Sequence, residues 1–192
     1  MIIRLQNNVY AIKGVYYIYL LVIDNKNLLI IDSSNGEDIG IVLDGILEIK
    51  SKTNYNPSFL VLTSCKKEVA GGAAKISSFL NIPILASYID ASSIRKGVCL
   101  DEEYEPADVS IEIKDIKVLI NGLNNLTFLR AKTPSKGSLI IKYNNALFSG
   151  ATKISGIVEK IGYVCNAFEF SKVEEDWFLR TRKENEKALE YK

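Results

Sequence analysis

Phe59-Leu60-Val61-Leu62 runs directly into Thr63-Ser64-Cys65-Lys66-Lys67-Glu68-Val69-Ala70-Gly71-Gly72. Four apolar residues in a row form a short strand of the kind buried on both faces of a sheet. Glu68 then opens a helical pattern that reaches Leu80. Cys65 therefore lies between a strand end and a helix start, with lysines beside it. Ile82-Pro83-Ile84-Leu85-Ala86 is the next strand.

Upstream, Val9-Tyr10-Ala11-Ile12 and Tyr16 to Ile23 are β-branched or aromatic runs suited to buried strands. Asp24-Asn25-Lys26-Asn27 is a turn cluster, and Leu28-Leu29-Ile30-Ile31 resumes the strand, so the segment reads as a hairpin. Ser33-Ser34-Asn35-Gly36 breaks it. From Glu37 the apolar residues Ile39, Val42, Leu43, Ile46 and Leu47 follow the spacing of an amphipathic helix that ends near Lys50. Downstream of an acidic loop (Asp101-Glu102-Glu103, then Glu105-Pro106), consecutive strands are expected at Ser110–Ile113, Lys117–Ile120, Leu126–Leu129, Ser138–Ile141 and Ala146–Phe148. Residues 171–192 read as a charged C-terminal helix that opens on the capping-box pattern Ser171-x-x-Glu174. Trp177, Leu179 and Leu189 supply its apolar contacts, for docking on the domain or pairing with another subunit. The pattern is α/β, a single domain over residues 1–192 with helices covering sheets.

Composition excludes much of the usual chemistry. The 192 residues hold 24 Lys+Arg against 23 Asp+Glu and no histidine. A net charge of +1 gives no broad pull toward nucleic acid or anionic membrane. Without histidine there is no Ser-His-Asp or Cys-His catalysis and no His-ligated zinc. Cys65, Cys99 and Cys165 are odd in number, widely spaced and free of any CxxC pair, so no disulfide framework is expected and a reducing, cytoplasmic setting is. No signal peptide is expected at the N-terminus, and Val15–Ile23 is too short to span a bilayer. Abundant Ile, Lys and Tyr lean toward an AT-rich, thermophilic source.

Four segments resemble, in order, those of the metallo-β-lactamase fold superfamily. Leu29-Ile30-Ile31-Asp32-Ser33 is similar to its Ile-Asp-Thr-Gly turn, and Leu62 to Gly72 to its Leu-Thr-His-x-His-x-Asp-His-x-Gly-Gly motif. Thr133-Pro134-Ser135-Lys136-Gly137-Ser138 resembles a shortened Thr-Pro-Gly-His-Thr-Pro-Gly-Ser, and Leu147-Phe148-Ser149-Gly150-Ala151-Thr152 resembles Leu-Phe-x-Gly-Asp-Thr. The resemblance covers roughly residues 9–155. It implies a four-layer αββα sandwich, here shortened at the C-terminus. It also implies metal-assisted hydrolysis in intact members, but the ligand positions here read Ser64, Lys66, Glu68 and Val69, then Ser135 or Lys136, then Ala151, with no counterpart to the last histidine. One carboxylate cannot hold such an ion, and a charged lysine has no lone pair to offer it. A degenerate member without metal or other cofactor is the implied reading.

Several residues keep two readings. Lys66, Lys67, Lys136 and Lys153 either cap a vacated pocket and point to water or cluster as an anion site. Glu68 pairs with Lys66 only against its two-residue spacing. Cys65 is a half-buried structural residue or a nucleophile lacking a base, while Cys99 and Cys165 are small core residues. Gly71-Gly72 and Gly36 serve close helix-to-strand packing rather than phosphate binding. Tyr16, Tyr17 and Tyr19 serve sheet packing or base stacking. The expected function is that of a pseudoenzyme that binds a protein partner or forms a homo-oligomer. A metal-independent hydrolase and a nucleotide- or nucleic-acid-binding protein with a lysine-lined site are the alternatives.

Overall fold

A computed structural model of the chain describes residues 1–24, 26–114, 126–152, 154 and 161–173. The first four strands are β1 (Ile2–Gln6), β2 (Val9–Lys13), β3 (Tyr17–Val22) and β4 (Asn27–Ile31), an antiparallel meander. Helix α1 (Ile39–Thr53) crosses to β5 (Asn56–Leu62), which lies parallel to β4. Helices α2 (Lys67–Ala70) and α3 (Ala73–Leu80) lead to β6 (Ile84–Ser87), and α4 (Ala91–Lys96) with the hairpin β7 (Val98–Cys99) and β8 (Glu102–Glu103) leads to β9 (Val109–Ile113). These strands form a seven-stranded sheet in the order β1-β2-β3-β4-β5-β6-β9, with β7 and β8 apart from it. A second sheet of five strands runs β10 (Leu126–Arg130), β11 (Leu139–Tyr143), β12 (Ala146–Phe148), β13 (Tyr163–Cys165) and β14 (Phe170–Lys172).

The central strands are apolar on both faces because each face meets a different layer. Ile18, Leu20, Leu28, Ile30, Leu60 and Leu62 pack under Val42, Ile46 and Ile49 of α1 and Ile76 of α3. Their alternates Tyr19, Leu21, Leu29, Ile31 and Val61 pack against Phe128, Ile141 and Phe148 of the five-stranded sheet. This period-two division explains why Phe59–Leu62 reads as an unbroken apolar run. The described layers are thus helices, seven-stranded sheet and five-stranded sheet. A second helical layer is not seen among the described residues.

Several expected boundaries shift. The single helix expected over Glu68–Leu80 is two helices divided at Gly71-Gly72, because backbone of the β4–α1 loop presses there. A Cβ on Gly71 would meet the carbonyl oxygen of Asn35 at 2.4 Å, and one on Gly72 that of Ser33 at 2.3 Å. Ser171 and Lys172 belong to strand β14 rather than to a helix start, since they pair with Val164 and Tyr163. The rest of the expected C-terminal helix (174–192) and the strand expected at Lys117–Ile120 lie outside the described residues. Helix α4 and strand β7 precede the acidic loop and β8 lies within it, and all three are too short to leave a periodic signal.

These contacts set opposite expectations for two glycines. Gly72→Ala drives a methyl group into a backbone carbonyl that has no side-chain freedom to yield, and should destabilise by about 1–3 kcal/mol. Gly40 lies on the exposed face of α1, where an added Cβ would have nothing within 4 Å. Gly40 is in the first turn of α1, so Gly40→Ala should stabilise by up to about 0.5 kcal/mol, somewhat less than alanine gains in an exposed helix interior. Urea unfolding followed by circular dichroism reads both changes.

Candidate functional site

Strands β4, β5 and β6 are parallel, so their carboxyl ends place the loops beginning at Asp32, Thr63 and Tyr88 at one end of the sheet. Asp32 stands just past β4 in a left-handed conformation with φ 63°, which aspartate tolerates better than most residues. Its buried carboxyl accepts hydrogen bonds from the Thr63 N–H and the Thr63 hydroxyl, each at 2.8 Å. Gly150 closes over this pair. Its φ is +54°, and a Cβ there would lie 1.8 Å from the Thr63 Oγ1. The segment that follows β12 is thereby seated on the loop that follows β5. Thr152 adds a second link by donating its hydroxyl to the Thr133 carbonyl oxygen at 2.6 Å.

Asp90 is the other buried carboxylate of this end. It precedes α4 yet makes no side-chain cap to the helix. Instead its Oδ2 accepts from the Cys65 N–H at 2.9 Å and the Ser135 hydroxyl at 2.5 Å, and its Oδ1 accepts from the Gly137 N–H at 3.1 Å. The β5–α2 and β10–β11 loops are joined through this one side chain. The four segments that carry the resemblance therefore converge.

Lys66 lies half-buried, its side chain 18% exposed, with its ammonium in contact with Glu102 of β8 and 3.8 Å from Glu68. The hydrogen bond it donates to Glu102, followed by the charge of Glu68, holds the Lys66 ammonium above its usual lysine range. Glu68 Oε2 is buried with no hydrogen-bond partner, since 3.8 Å is beyond hydrogen-bond reach. The two-residue spacing does limit the Lys66–Glu68 contact, and the closer partner comes from 36 residues away.

The cysteine expectation is corrected by the structure. Cys65 and Cys99 form a disulfide with Cα atoms 5.7 Å apart. Cys65 is thus buried and oxidised rather than half-buried and free, and it carries no thiolate for nucleophilic attack. Cys99 is not simply a core residue. Pairing across 34 residues depends on how α4 folds back, which cysteine spacing does not encode. Cys165 is free and buried, as expected of a small core residue, and burial pushes its thiol up to about 12. Tyr104 adds a further tie by donating its hydroxyl to the Cys65 carbonyl oxygen at 2.6 Å.

Of the remaining candidate residues, Ser64 is buried and its hydroxyl accepts from the Lys66 N–H at 3.3 Å. Lys136 is exposed, Lys67 and Ala151 are half-buried, and Lys153 lies outside the described residues. Tyr19 is buried and stacks with Tyr17 at 6.3 Å, while Tyr16 meets Phe168 edge-on at 5.6 Å. Among the described residues, no three His, Cys, Asp or Glu side chains gather so as to hold a metal ion. Lys66 offers an ammonium and Ala151 a methyl group, neither of which can coordinate a metal ion, so the described residues do not fit a metal centre. Asp32, Asp90, Glu102 and the Cys65–Cys99 pair escape the sequence reading. Asp32 carries a signal in the Ile31-Asp32-Ser33 turn, whereas Glu102 and Asp90 carry none.

The fold matches those of solved metallo-β-lactamases. MIM-2 metallo-β-lactamase superimposes with a TM-score of 0.67 at 18% identity, over 77% of this chain and 60% of its own. A HARLDQ-motif mutant of the Cronobacter sakazakii metallo-β-lactamase gives 0.74 at 10% identity, over 100% of this chain and 97% of its own. A B3 metallo-β-lactamase with an active-site glutamic acid gives 0.73 at 14% identity, over 98% and 91%. No family model and no curated protein matches the sequence. The chain has the metallo-β-lactamase fold.

Burial raises the Asp32 carboxyl to about 7, against the opposing pull of the Thr63 donors. The folded protein then keeps a proton that the unfolded chain releases above the usual aspartate range. Its contribution is fully present in acid and is lost as pH rises through about 7. Urea midpoints should therefore fall between pH 5 and pH 8, and Asp32→Asn, which keeps an acceptor for Thr63, should flatten that fall. An unchanged profile in the variant would show that Asp32 is ionised when folded.

Proposed function

We propose that this chain is a non-catalytic protein of the metallo-β-lactamase fold that acts by binding a protein partner or a second copy of itself. The observation that carries the reading is the position of Lys66. It occupies a ligand position of the motif, and its ammonium is met by two carboxylates, Glu102 and Glu68. A charged ammonium repels a divalent ion and donates no lone pair. The oxidation of Cys65 supports the same reading, because it removes the nearest nucleophile. The two glutamates take up the charge of Lys66, so an anion site centred there gains no support. Without a hydrolytic centre, association is what the scaffold still offers, as the sequence resemblance implied.

The test is elemental analysis of untagged protein expressed with zinc, iron and manganese supplied, paired with sedimentation of the same sample. Metal should fall well below one equivalent. The sedimenting mass should exceed the 21.4 kDa of one chain, or a second protein should co-purify in fixed ratio. A stoichiometric ion overturns the reading.

A further inference from the structure

The β7–β8 hairpin has two residues in each strand, joined by Leu100 and Asp101 at φ 48° and 66°. Two consecutive left-handed residues make a primed two-residue turn, and a leucine there is unfavourable and exposed. A hairpin this small buries too little to hold its own place. It is fixed from outside, by ties to two adjacent residues of the β5–α2 loop. Cys99 is bonded to Cys65, Glu102 is paired with Lys66, and Tyr104, one residue past β8, donates to the Cys65 carbonyl oxygen. Cys65 is in turn anchored by its N–H to Asp90.

We propose that this hairpin is a redox-sensitive latch over the loop that carries the ligand positions of the motif, with the Lys66–Glu102 ion pair controlling access to the Cys65–Cys99 bond. Both cysteines are only 3% exposed, so a reductant reaches sulfur after the hairpin lifts. Lifting breaks the ion pair. The co-reactant is a dithiol. One of its thiolates attacks the Cys99 sulfur, forming a mixed disulfide and expelling Cys65 as thiolate. The second thiolate of the dithiol then attacks its own sulfur in the mixed disulfide, closing a cyclic disulfide and releasing Cys99. The dithiol supplies two electrons and two protons, and both cysteines end as thiols. The latch holds whether or not the chain binds a partner, because none of its ties involves one.

The experiment is a time course of reduction of the full chain by dithiothreitol, with freed thiols alkylated and counted by peptide mass spectrometry. Glu102→Gln and Lys66→Met should each speed the appearance of the Cys65 and Cys99 thiols by about fivefold, the size of effect expected of one partly exposed ion pair. Lys52→Gln, which removes an exposed pair on α1, should leave the rate unchanged. Cys165 is a built-in control, since its thiol is free, buried and in the five-stranded sheet rather than in the hairpin. The latch predicts Cys65 and Cys99 labelling well ahead of Cys165, and faster amide exchange in residues 63–66 and 97–104 of the reduced protein. Equal rates in wild type and both ion-pair variants overturn the proposal. So does labelling of Cys165 in step with the other two, or unchanged exchange after reduction.

Discussion

The site end of the molecule depends on the carboxylate of Asp90. Two loops approach it there and bring three buried donors that water cannot reach: the Cys65 N–H from the β5–α2 loop, and the Ser135 hydroxyl and the Gly137 N–H from the β10–β11 loop. A buried donor left without a partner costs on the order of 1–3 kcal/mol, and hydrogen bonds to a charged acceptor are among the stronger ones. One aspartate satisfies all three at once. Its place is set by the parallel packing of β5 and β6, which delivers the loops after both strands to the same end. Gly137 has no side chain for a related reason, since a Cβ would lie 2.3 Å from the Asp90 Oδ1.

Around Asp90 the chain ties its loops by ordinary protein contacts. The ammonium of Lys66 is a weaker organiser than a multivalent ion would be. It bears one charge and directs at most three hydrogens. It satisfies Glu102 and reaches Glu68 only at 3.8 Å, leaving Glu68 Oε2 buried without a hydrogen bond. The disulfide supplies what this ion pair lacks. Closing a loop of 34 residues restricts the unfolded chain, worth about 3–4 kcal/mol in the chain-entropy account. Partly exposed ion pairs are worth far less. The covalent bond therefore contributes more to the stability of the fold than the ion pair does, while the ion pair and Tyr104 fix the direction from which the hairpin meets the loop.

Most of the scaffold was legible in the sequence. The strands at 9–12, 28–31, 59–62, 110–113 and 138–141 bury period-two apolar sets, and helix 37–50 buries a period-3.6 stripe, so burial itself writes the pattern. Elements missed from the sequence bury little or are very short. Strand β1 lies at a sheet edge with all five residues at least partly exposed, and its alternation is interrupted by Arg4 and Gln6. Strands β7 and β8 span two residues each. The site divided in the same way. The loops bearing Ser64, Lys66, Glu68 and Ala151 could be placed by motif order, and they do converge. Asp90, Glu102 and the Cys65–Cys99 pair could not, because each acts on a residue 25 to 36 positions away through the return path of α4. Long-range polar pairing leaves no periodicity.

Gly71 and Gly72 show how tightly the two kinds of information are joined. Their lack of side chains lets the β4–α1 loop lie against the junction of α2 and α3, with Ser33 donating its N–H and hydroxyl to the Val69 carbonyl oxygen, each at 2.8 Å. That contact fixes α2, and α2 carries Glu68 into reach of Lys66. A glycine pair placed for packing thereby adds a second carboxylate near a lysine several residues earlier, although Glu102 remains that lysine's closer partner. The absence of a side chain at Gly71 and Gly72 is demanded by packing alone, and that demand is independent of any chemistry at the site.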